Sequence, residues 1–169
     1  MGIPFNADEV FEMGMDIEQN GEAYYRKAVE LTEDPDVKKI FEELMVAEQA
    51  HYETFKKLRE NLPAKDTTPI VSDPEDQSYL YLDALVKSRL FNSVREAEEV
   101  VSKATGPIEA LQGALTFEKD TILFFTEMKG RTREDLGKTE INRLIAEERE
   151  HIVWISGMIK KIREREVWS

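Results

Sequence analysis

The sequence predicts an all-α fold, a four-helix bundle in which a long crossover carrying short helices joins two antiparallel hairpins. Four segments, each about 25–30 residues long, repeat apolar residues at steps of three and four, the spacing of a helix that buries one face. Tight turns join these segments in two pairs. A far longer stretch separates the pairs, and one long crossover between two hairpins is an established bundle topology.

The first hairpin has clear helix start signals. Its first helix is predicted over about residues 7–31, with Asn6 as N-cap and Glu9 three residues later, the pattern of a capping box. Its second helix is predicted over about residues 35–61, with Asp34 as N-cap and a proline at the first helical position. The two helices are therefore antiparallel neighbours.

The second hairpin is bounded by proline and glycine. Pro107 opens the third helix, which is predicted to end near Gly130. Thr132 and Asp135 are the predicted caps of the fourth helix, which runs to about Arg165. Each long helix would then extend about 40 Å at 1.5 Å per residue.

The crossover, about residues 62–106, is predicted to begin as an extended strap and to continue as two short helices. Its first part contains three prolines, Pro63, Pro69 and Pro74. The first short helix has one apolar face, made of Tyr79, Leu82, Leu85, Val86 and Leu90. Ser93 and Glu96 have the spacing of a capping box and would start the second short helix.

An internal repeat relates the two hairpins. At an offset of 100 residues, the same residue type recurs at positions that a duplicated hairpin would keep: Glu18 and Glu118, Leu44 and Leu144, Glu48 and Glu148, His51 and His151. Tyr24 and Tyr25 correspond to Phe124 and Phe125. The repeat supports two equivalent halves.

Composition excludes several classes of function. The chain has 169 residues, and we expect one domain over residues 1–169. It contains no cysteine, so disulfides and thiolate-bound metals are excluded. A net charge of -12 argues against nucleic acid as a partner, because an acidic surface repels phosphate. We expect no membrane span and no signal peptide, and hence a cytoplasmic protein.

Each apolar stripe of the four long helices contains one glutamate, and the two histidines follow two of these glutamates at i+3. The predicted metal ligands are Glu18, Glu48, His51, Glu118, Glu148 and His151. Within each hairpin the two glutamates are 30 residues apart, and the midpoint falls in the turn. Both members of a pair therefore lie about 22 Å from their turn. All six side chains should meet in one layer.

Four ionised carboxylates in an apolar interior require compensation, because burial and mutual repulsion disfavour the charges. Two divalent cations supply +4 against -4, and bridging carboxylates hold two metals about 3.5–4 Å apart. An oxygen-rich set with one imidazole for each metal favours iron or manganese, and zinc could also bind. We therefore expect two iron ions as the cofactor, with manganese or zinc as alternatives.

Several neighbours of this layer have two interpretations. Glu147 is the alternative ligand on the fourth helix, whereas Glu22 is interpreted as a solvent-facing residue. Tyr25 lies two turns after Glu18, where it either donates a hydrogen bond to a ligand carboxylate or only packs in the core. Small residues flank the glutamates of the first and third helices and either leave room for a small oxidant or allow close helix approach: Gly14, Gly21, Ala114 and Thr121. Two further glutamates are interpreted as helix caps, Glu9 and Glu109.

The doubled Glu-x-x-His motif with two single glutamates resembles the ferritin-like diiron-carboxylate proteins, and within them the rubrerythrin-related branch. The resemblance implies that Glu18 and Glu118 are terminal ligands, that Glu48 and Glu148 bridge the metals and that each histidine binds one metal. It also implies a role for Tyr25 beside the ligands. Two departures are clear: rubrerythrins carry a rubredoxin-type iron domain with cysteine ligands, whereas this chain has no cysteine, and Leu115 stands where rubrerythrins have an additional glutamate.

The resemblance implies an oxidoreductase that reduces hydrogen peroxide or dioxygen with electrons from an external donor. The alternative is an iron-binding, storage or ferroxidase subunit without a dedicated substrate. A third interpretation, oxygenation of an organic substrate, would use the strap aromatics Tyr79, Tyr81 and Phe91. We expect a homo-oligomer, with a dimer as the first candidate.

Overall fold

The four long helices form the predicted bundle in the computed structural model, which describes residues 6–63 and 77–169, and only the backbone of residues 77–79. In order, the helices are α1 (Ala7–Leu31), α2 (Pro35–Glu60), α3 (Gln77–Lys87), α4 (Val94–Ser102), α5 (Pro107–Arg131) and α6 (Lys138–Val167). A 3₁₀ turn, Glu134–Leu136, precedes α6. The described residues contain no β-strand, so the all-α prediction is confirmed.

The two hairpins pack as the connectivity requires. Helix α1 has its most extensive contacts with α2, and α5 has its most extensive contacts with α6. Contacts of α1 with α5 and of α2 with α6 close the bundle. Of the crossover helices, α4 packs on α1 and α3 packs on α5. None of the helices in the described residues combines the length and hydropathy of a membrane span.

Side-chain caps fix three of the helix starts. The Asn6 side chain accepts from the Glu9 N–H at 2.9 Å, and the Glu9 carboxylate accepts from the Asn6 N–H at 2.9 Å. Asp34 accepts from the first turn of α2. Ser93 accepts from the Glu96 N–H at 3.1 Å, and Glu96 accepts from the neighbouring Asn92 N–H instead of completing the box. These caps satisfy N–H groups that have no partner within the helix.

The predicted start of the fourth helix is wrong. Thr132 caps the C-terminus of α5, where its hydroxyl donates to the carbonyl of Met128 at 2.7 Å. Asp135 lies within the 3₁₀ turn, and its carboxylate accepts from Arg133 at 3.0 Å. The turn ends at Gly137, whose φ of 105° is left-handed, and α6 follows directly. Glycine tolerates this conformation because it has no Cβ.

The described part of the crossover covers the bundle. Pro69 and Pro74 lie outside the described residues, as does the side chain of Tyr79. The Phe91 ring stacks on Phe117 at a centroid distance of 4.9 Å and on Tyr24 at 5.5 Å. The buried Phe91 ring therefore packs against both α1 and α5.

Candidate metal centre

The six residues predicted as ligands lie in one buried layer at mid-bundle. Helices α1, α2, α5 and α6 each contribute one glutamate, and α2 and α6 each contribute one histidine: Glu18, Glu48, His51, Glu118, Glu148 and His151. All four glutamates are 0% exposed, and the histidines are 1% and 3% exposed. The two imidazole rings stack at a centroid distance of 5.7 Å. The layer arises because the residues share one stripe on each helix and one distance from the turns.

The layer divides into two groups that could each hold a metal ion. One group consists of Glu18, Glu48, His51 and Glu148, and the other of Glu48, Glu118, Glu148 and His151. Within each group, ligand atoms lie within 4.8 Å of one another. Glu48 and Glu148 belong to both groups, so they are positioned to bridge two ions.

The donor atoms of this layer face one another without forming hydrogen bonds. Both oxygens of Glu18, Glu48 and Glu148 are buried and lack a hydrogen-bond partner among the described residues. The Nδ1 atoms of His51 and His151 also lack one, although a Glu148 oxygen lies 2.9 Å and 2.7 Å away, respectively. Buried polar atoms without partners are costly. Two divalent cations would provide those partners and neutralise the four carboxylates, so the donor set fits a dinuclear metal site.

Without a cation, protons must stabilise these acids. Burial raises the pKa of Glu48 well above its ordinary range, and the other three carboxylates add to the effect. Burial also raises the pKa of Glu18. For Glu118, burial followed by repulsion from Glu148 raises the pKa to about 8. Burial thus shifts the balance of all three carboxyl groups toward the protonated form in the metal-free chain.

The pKa values of the two imidazoles are also raised, in their case by the neighbouring carboxylates and against the effect of burial. Burial disfavours a charged His51, but Glu18 and Glu148 outweigh it and raise its pKa to about 12. Burial likewise opposes charge on His151, yet Glu118 and Glu148 raise its pKa to about 10. Although burial favours a neutral Glu148, the two histidines lower its pKa. Metal ions must displace these protons, since ligand groups bind in deprotonated form.

We expect the metal-free chain to lose stability as the pH rises from about 5 to 9. The pKa of Glu118 rises from 4.5 to about 8 in the folded chain, and that of His151 rises from 6.5 to about 10. The folded state therefore holds protons that the unfolded state has already released, and a rising pH favours unfolding. Urea unfolding with a chelator at pH 5, 7 and 9 measures the trend. Glu118→Gln should reduce the pH dependence of the free energy of unfolding. A free energy of unfolding that increases up to pH 9 would contradict the pKa shifts.

Tyr25 both packs in the core and contacts the cluster. The residue is fully buried, and its hydroxyl donates to Oε1 of Glu118. Burial, followed by the charge of Glu118, raises the pKa of Tyr25 well above its ordinary value, so the hydroxyl keeps its proton. Its counterpart in the second hairpin is Phe125, which has no hydroxyl. Tyr25 therefore holds one oxygen of one carboxylate only.

Glu147, the alternative ligand, lies outside both groups. Its Oε2 lies 2.8 Å from Nε2 of His51, on the side of the ring opposite to the cluster. Its side chain is 43% exposed, and its other oxygen lies 3.6 Å from Arg143. With Nδ1 directed to the cluster, Nε2 donates and Glu147 accepts. The residue therefore orients a histidine rather than joining the cluster.

The small residues of α1 allow close packing. A Cβ on Gly21 would lie 2.5 Å from Oε2 of Glu48 and 2.6 Å from the Phe117 ring, and one on Gly14 would lie 2.9 Å from the Phe55 ring. Neighbouring side chains fill the space beside these two glycines, which leaves no room there for an oxidant. Close helix approach is therefore the correct interpretation for both.

Three further glutamates lie outside the cluster. Glu22 forms an ion pair with Arg26, but its side chain is only 16% exposed and so faces solvent less than the sequence predicts. Glu9 completes the cap of α1, and Glu109 accepts from the N–H and hydroxyl of Thr105 before α5. The sequence reasoning missed the contact between Glu147 and His51. Its only signal was a carboxylate directly before Glu148, beside the apolar stripe.

Comparisons with known proteins agree with this architecture. Residues 4–59, which include α1 and most of α2, match the sequence profile of the rubrerythrin family. The fold is similar to that of a Thermotoga maritima protein provisionally described as a ferritin-like diiron-carboxylate protein. The two share 20% sequence identity with a TM-score of 0.73, over 95% of this chain and 98% of that chain. No curated protein matches the sequence. The structural likeness establishes the ferritin-like fold.

Proposed function

We propose that this chain, a ferritin-like protein related to rubrerythrins, holds two iron ions in its buried carboxylate–imidazole layer and reduces hydrogen peroxide or dioxygen there. One observation carries the proposal: four buried glutamates and two buried histidines converge with most of their donor atoms unpartnered. Such a set is costly as a purely structural core, since an apolar replacement would remove the desolvation cost.

Some residues of the chain would bind the ions, and others would keep water out of the site. Glu18 and His51 would hold one ion, Glu118 and His151 the other, and the two groups share the remaining glutamates. Apolar side chains above and below the layer exclude water: Phe41, Leu44, Phe55, Phe125, Leu144 and Ile155. A dry surrounding strengthens the electrostatic interactions within the site.

When bound, two ferrous ions supply two electrons, which with two protons convert one hydrogen peroxide into two water molecules. The chain contains no cysteine, so the proposal requires an external donor to restore the electrons. Tyr25 keeps its proton on the hydroxyl oxygen and holds Glu118 in place through this hydrogen bond. Phe91 is buried against Phe117 and Tyr24, which argues against an open organic-substrate pocket at this point of the crossover.

An anaerobic stoichiometry experiment tests the proposal. Wild-type protein loaded with Fe(II) should bind two ions per chain, and one equivalent of hydrogen peroxide should oxidise both faster than it oxidises free Fe(II) in the same buffer. Glu148→Gln should lose the bound pair and the rapid reaction, because Glu148 belongs to both groups. Glu22→Gln is the matched control, since Glu22 lies outside both groups and pairs with Arg26.

The outcomes separate the redox role from iron handling. Bound iron that reacts with neither peroxide nor dioxygen would exclude the proposed reduction but leave a metal site in place. A large hollow assembly containing hundreds of ions would instead support the storage alternative, for which the net charge of -12 could help to attract cations. A small oligomer with two reactive ions per chain would support the redox role.

A further inference from the structure

We infer that the two metal positions are unequal. The position of Glu18 and His51 fills first, and it binds its ion at least about tenfold more tightly than the position of Glu118 and His151. This inference rests on the proposed dinuclear site. The ligand types are the same at both positions, namely one terminal glutamate, one histidine and the two shared glutamates. Any difference in affinity must therefore come from the residues that contact the ligands.

The first difference is the group that contacts Nε2 of each histidine, on the side of the ring away from the cluster. Nε2 of His51 contacts the Glu147 carboxylate at 2.8 Å. The position 100 residues earlier is Ala47, which offers no acceptor to His151. Among the described residues, no carboxylate lies within ion-pair distance of Nε2 of His151, and the ring instead lies beside Trp154 at a centroid distance of 5.4 Å.

A carboxylate behind a ligating imidazole has two effects on the metal. It fixes the tautomer so that the other ring nitrogen presents its lone pair to the ion, and it raises the basicity of that nitrogen. Loss of such a partner typically reduces metal affinity about 10–100-fold. His51 has this support from Glu147, which Arg143 in turn contacts at 3.6 Å. His151 does not have it.

The second difference lies in the terminal carboxylates. Both oxygens of Glu18 are free of hydrogen bonds, so this side chain can offer both to an ion. Only Oε2 of Glu118 is free, because the hydroxyl of Tyr25 donates to Oε1. The counterpart of Tyr25 is Phe125, which cannot make the equivalent bond to Glu18. Both differences therefore favour the position of Glu18 and His51.

Unequal positions have a consequence for chemistry. At limiting iron, most bound ions would therefore occupy the position of Glu18 and His51, and few chains would contain both ions. A single ferrous ion supplies one electron, whereas reduction of hydrogen peroxide to water needs two. Reactivity should therefore appear with the second equivalent of metal rather than rise in proportion to the first.

The presence of only two histidines makes the order of filling directly observable. Protein labelled with ¹⁵N in the histidine rings is titrated with Zn(II), and the contact with Trp154 assigns the His151 ring. The first equivalent should shift Nδ1 of His51, and the second should shift Nδ1 of His151. Calorimetry on the same samples should resolve two steps that differ about tenfold or more in affinity.

Two variants test the cause. Glu147→Ala should weaken the first step about 10–100-fold, so that the two steps merge, while Glu147→Gln keeps an acceptor and should retain the order. Glu150→Ala is the charge-matched control, an exposed glutamate one turn along the same helix that should leave both steps unchanged. Tyr25→Phe frees Oε1 of Glu118, so it should change the second step and leave the first alone. Thermal unfolding of the metal-free variants checks that each one folds.

Contrary outcomes are distinguishable. Simultaneous shifts of both histidines with equal affinities, or a shift of His151 first, would overturn the inference and leave the dinuclear site intact. A Glu147→Ala variant that folds and still binds its first ion as tightly as the wild type would overturn the role of Glu147. Folded wild-type protein that binds no Zn(II) would instead remove the proposed function itself.

Discussion

Two divalent ions should raise the unfolding temperature of this protein by about 10–20 °C. Each ion present at about 100 times its Kd adds about 2.7 kcal/mol to the free energy of unfolding, so two ions add about 5 kcal/mol. In a chain of this length, 1 kcal/mol corresponds to about 2–4 °C. Scanning calorimetry of chelated and Mn(II)-loaded protein measures the shift. A chain that unfolds at the same temperature in both states does not bind metal at its core.

Glu48→Gln shows whether this stabilisation comes from the buried layer. Burial raises the pKa of Glu48 well above its ordinary value, which favours the neutral form of the metal-free side chain, and glutamine has nearly the same shape and no charge. We therefore expect the metal-free variant to unfold at or above the wild-type temperature. Its shift on adding metal should largely disappear, because Glu48 belongs to both groups.

This pattern separates a ligand from a structural core residue. A residue needed only for packing would lower the unfolding temperature with and without metal, whereas a ligand changes only the metal-dependent part. Glu22→Gln is the control, since it removes one negative charge from α1 outside the cluster. If Glu48→Gln keeps the full metal-induced shift, Glu48 is not a ligand.

Gly21→Ala should be the most damaging small substitution in α1. The new Cβ would lie 2.5 Å from Oε2 of Glu48 and 2.6 Å from the Phe117 ring, both closer than a van der Waals contact permits. Overpacking of this kind costs about 1–3 kcal/mol. Because the clash includes Glu48, we also expect weaker metal binding. Denaturant unfolding and a metal titration measure the two effects.

Gly157→Ala is the matched control on α6. A Cβ there meets no atom within 4 Å, and the position is exposed within a helix. Alanine should therefore stabilise this position by about 0.5–1 kcal/mol through its higher helix propensity. If Gly21→Ala were equally stabilising, the tight approach of α1 to Glu48 would be disproved.

The sequence by itself determined the four long helices and the buried layer between them. Residues on one helix are related by a fixed rotation and a rise of 1.5 Å, so a stripe of apolar residues also fixes which polar residues face inward. Glu18 and Glu48 are equally far from their turn, and the 100-residue repeat places Glu118 and Glu148 in the same way. These relations depend only on counting along the chain, which is why the six side chains were predictable.

Only the tertiary structure decided what surrounds that layer. The contact of Glu147 with His51, the hydrogen bond from Tyr25 to Glu118 and the approach of Gly21 to Glu48 all join different helices. Each depends on the rotation and separation of two helices, which are set by how their side chains interlock. The periodicity of one helix carries no information on its neighbour. The two halves therefore have matching ligands in sequence but different surroundings in space.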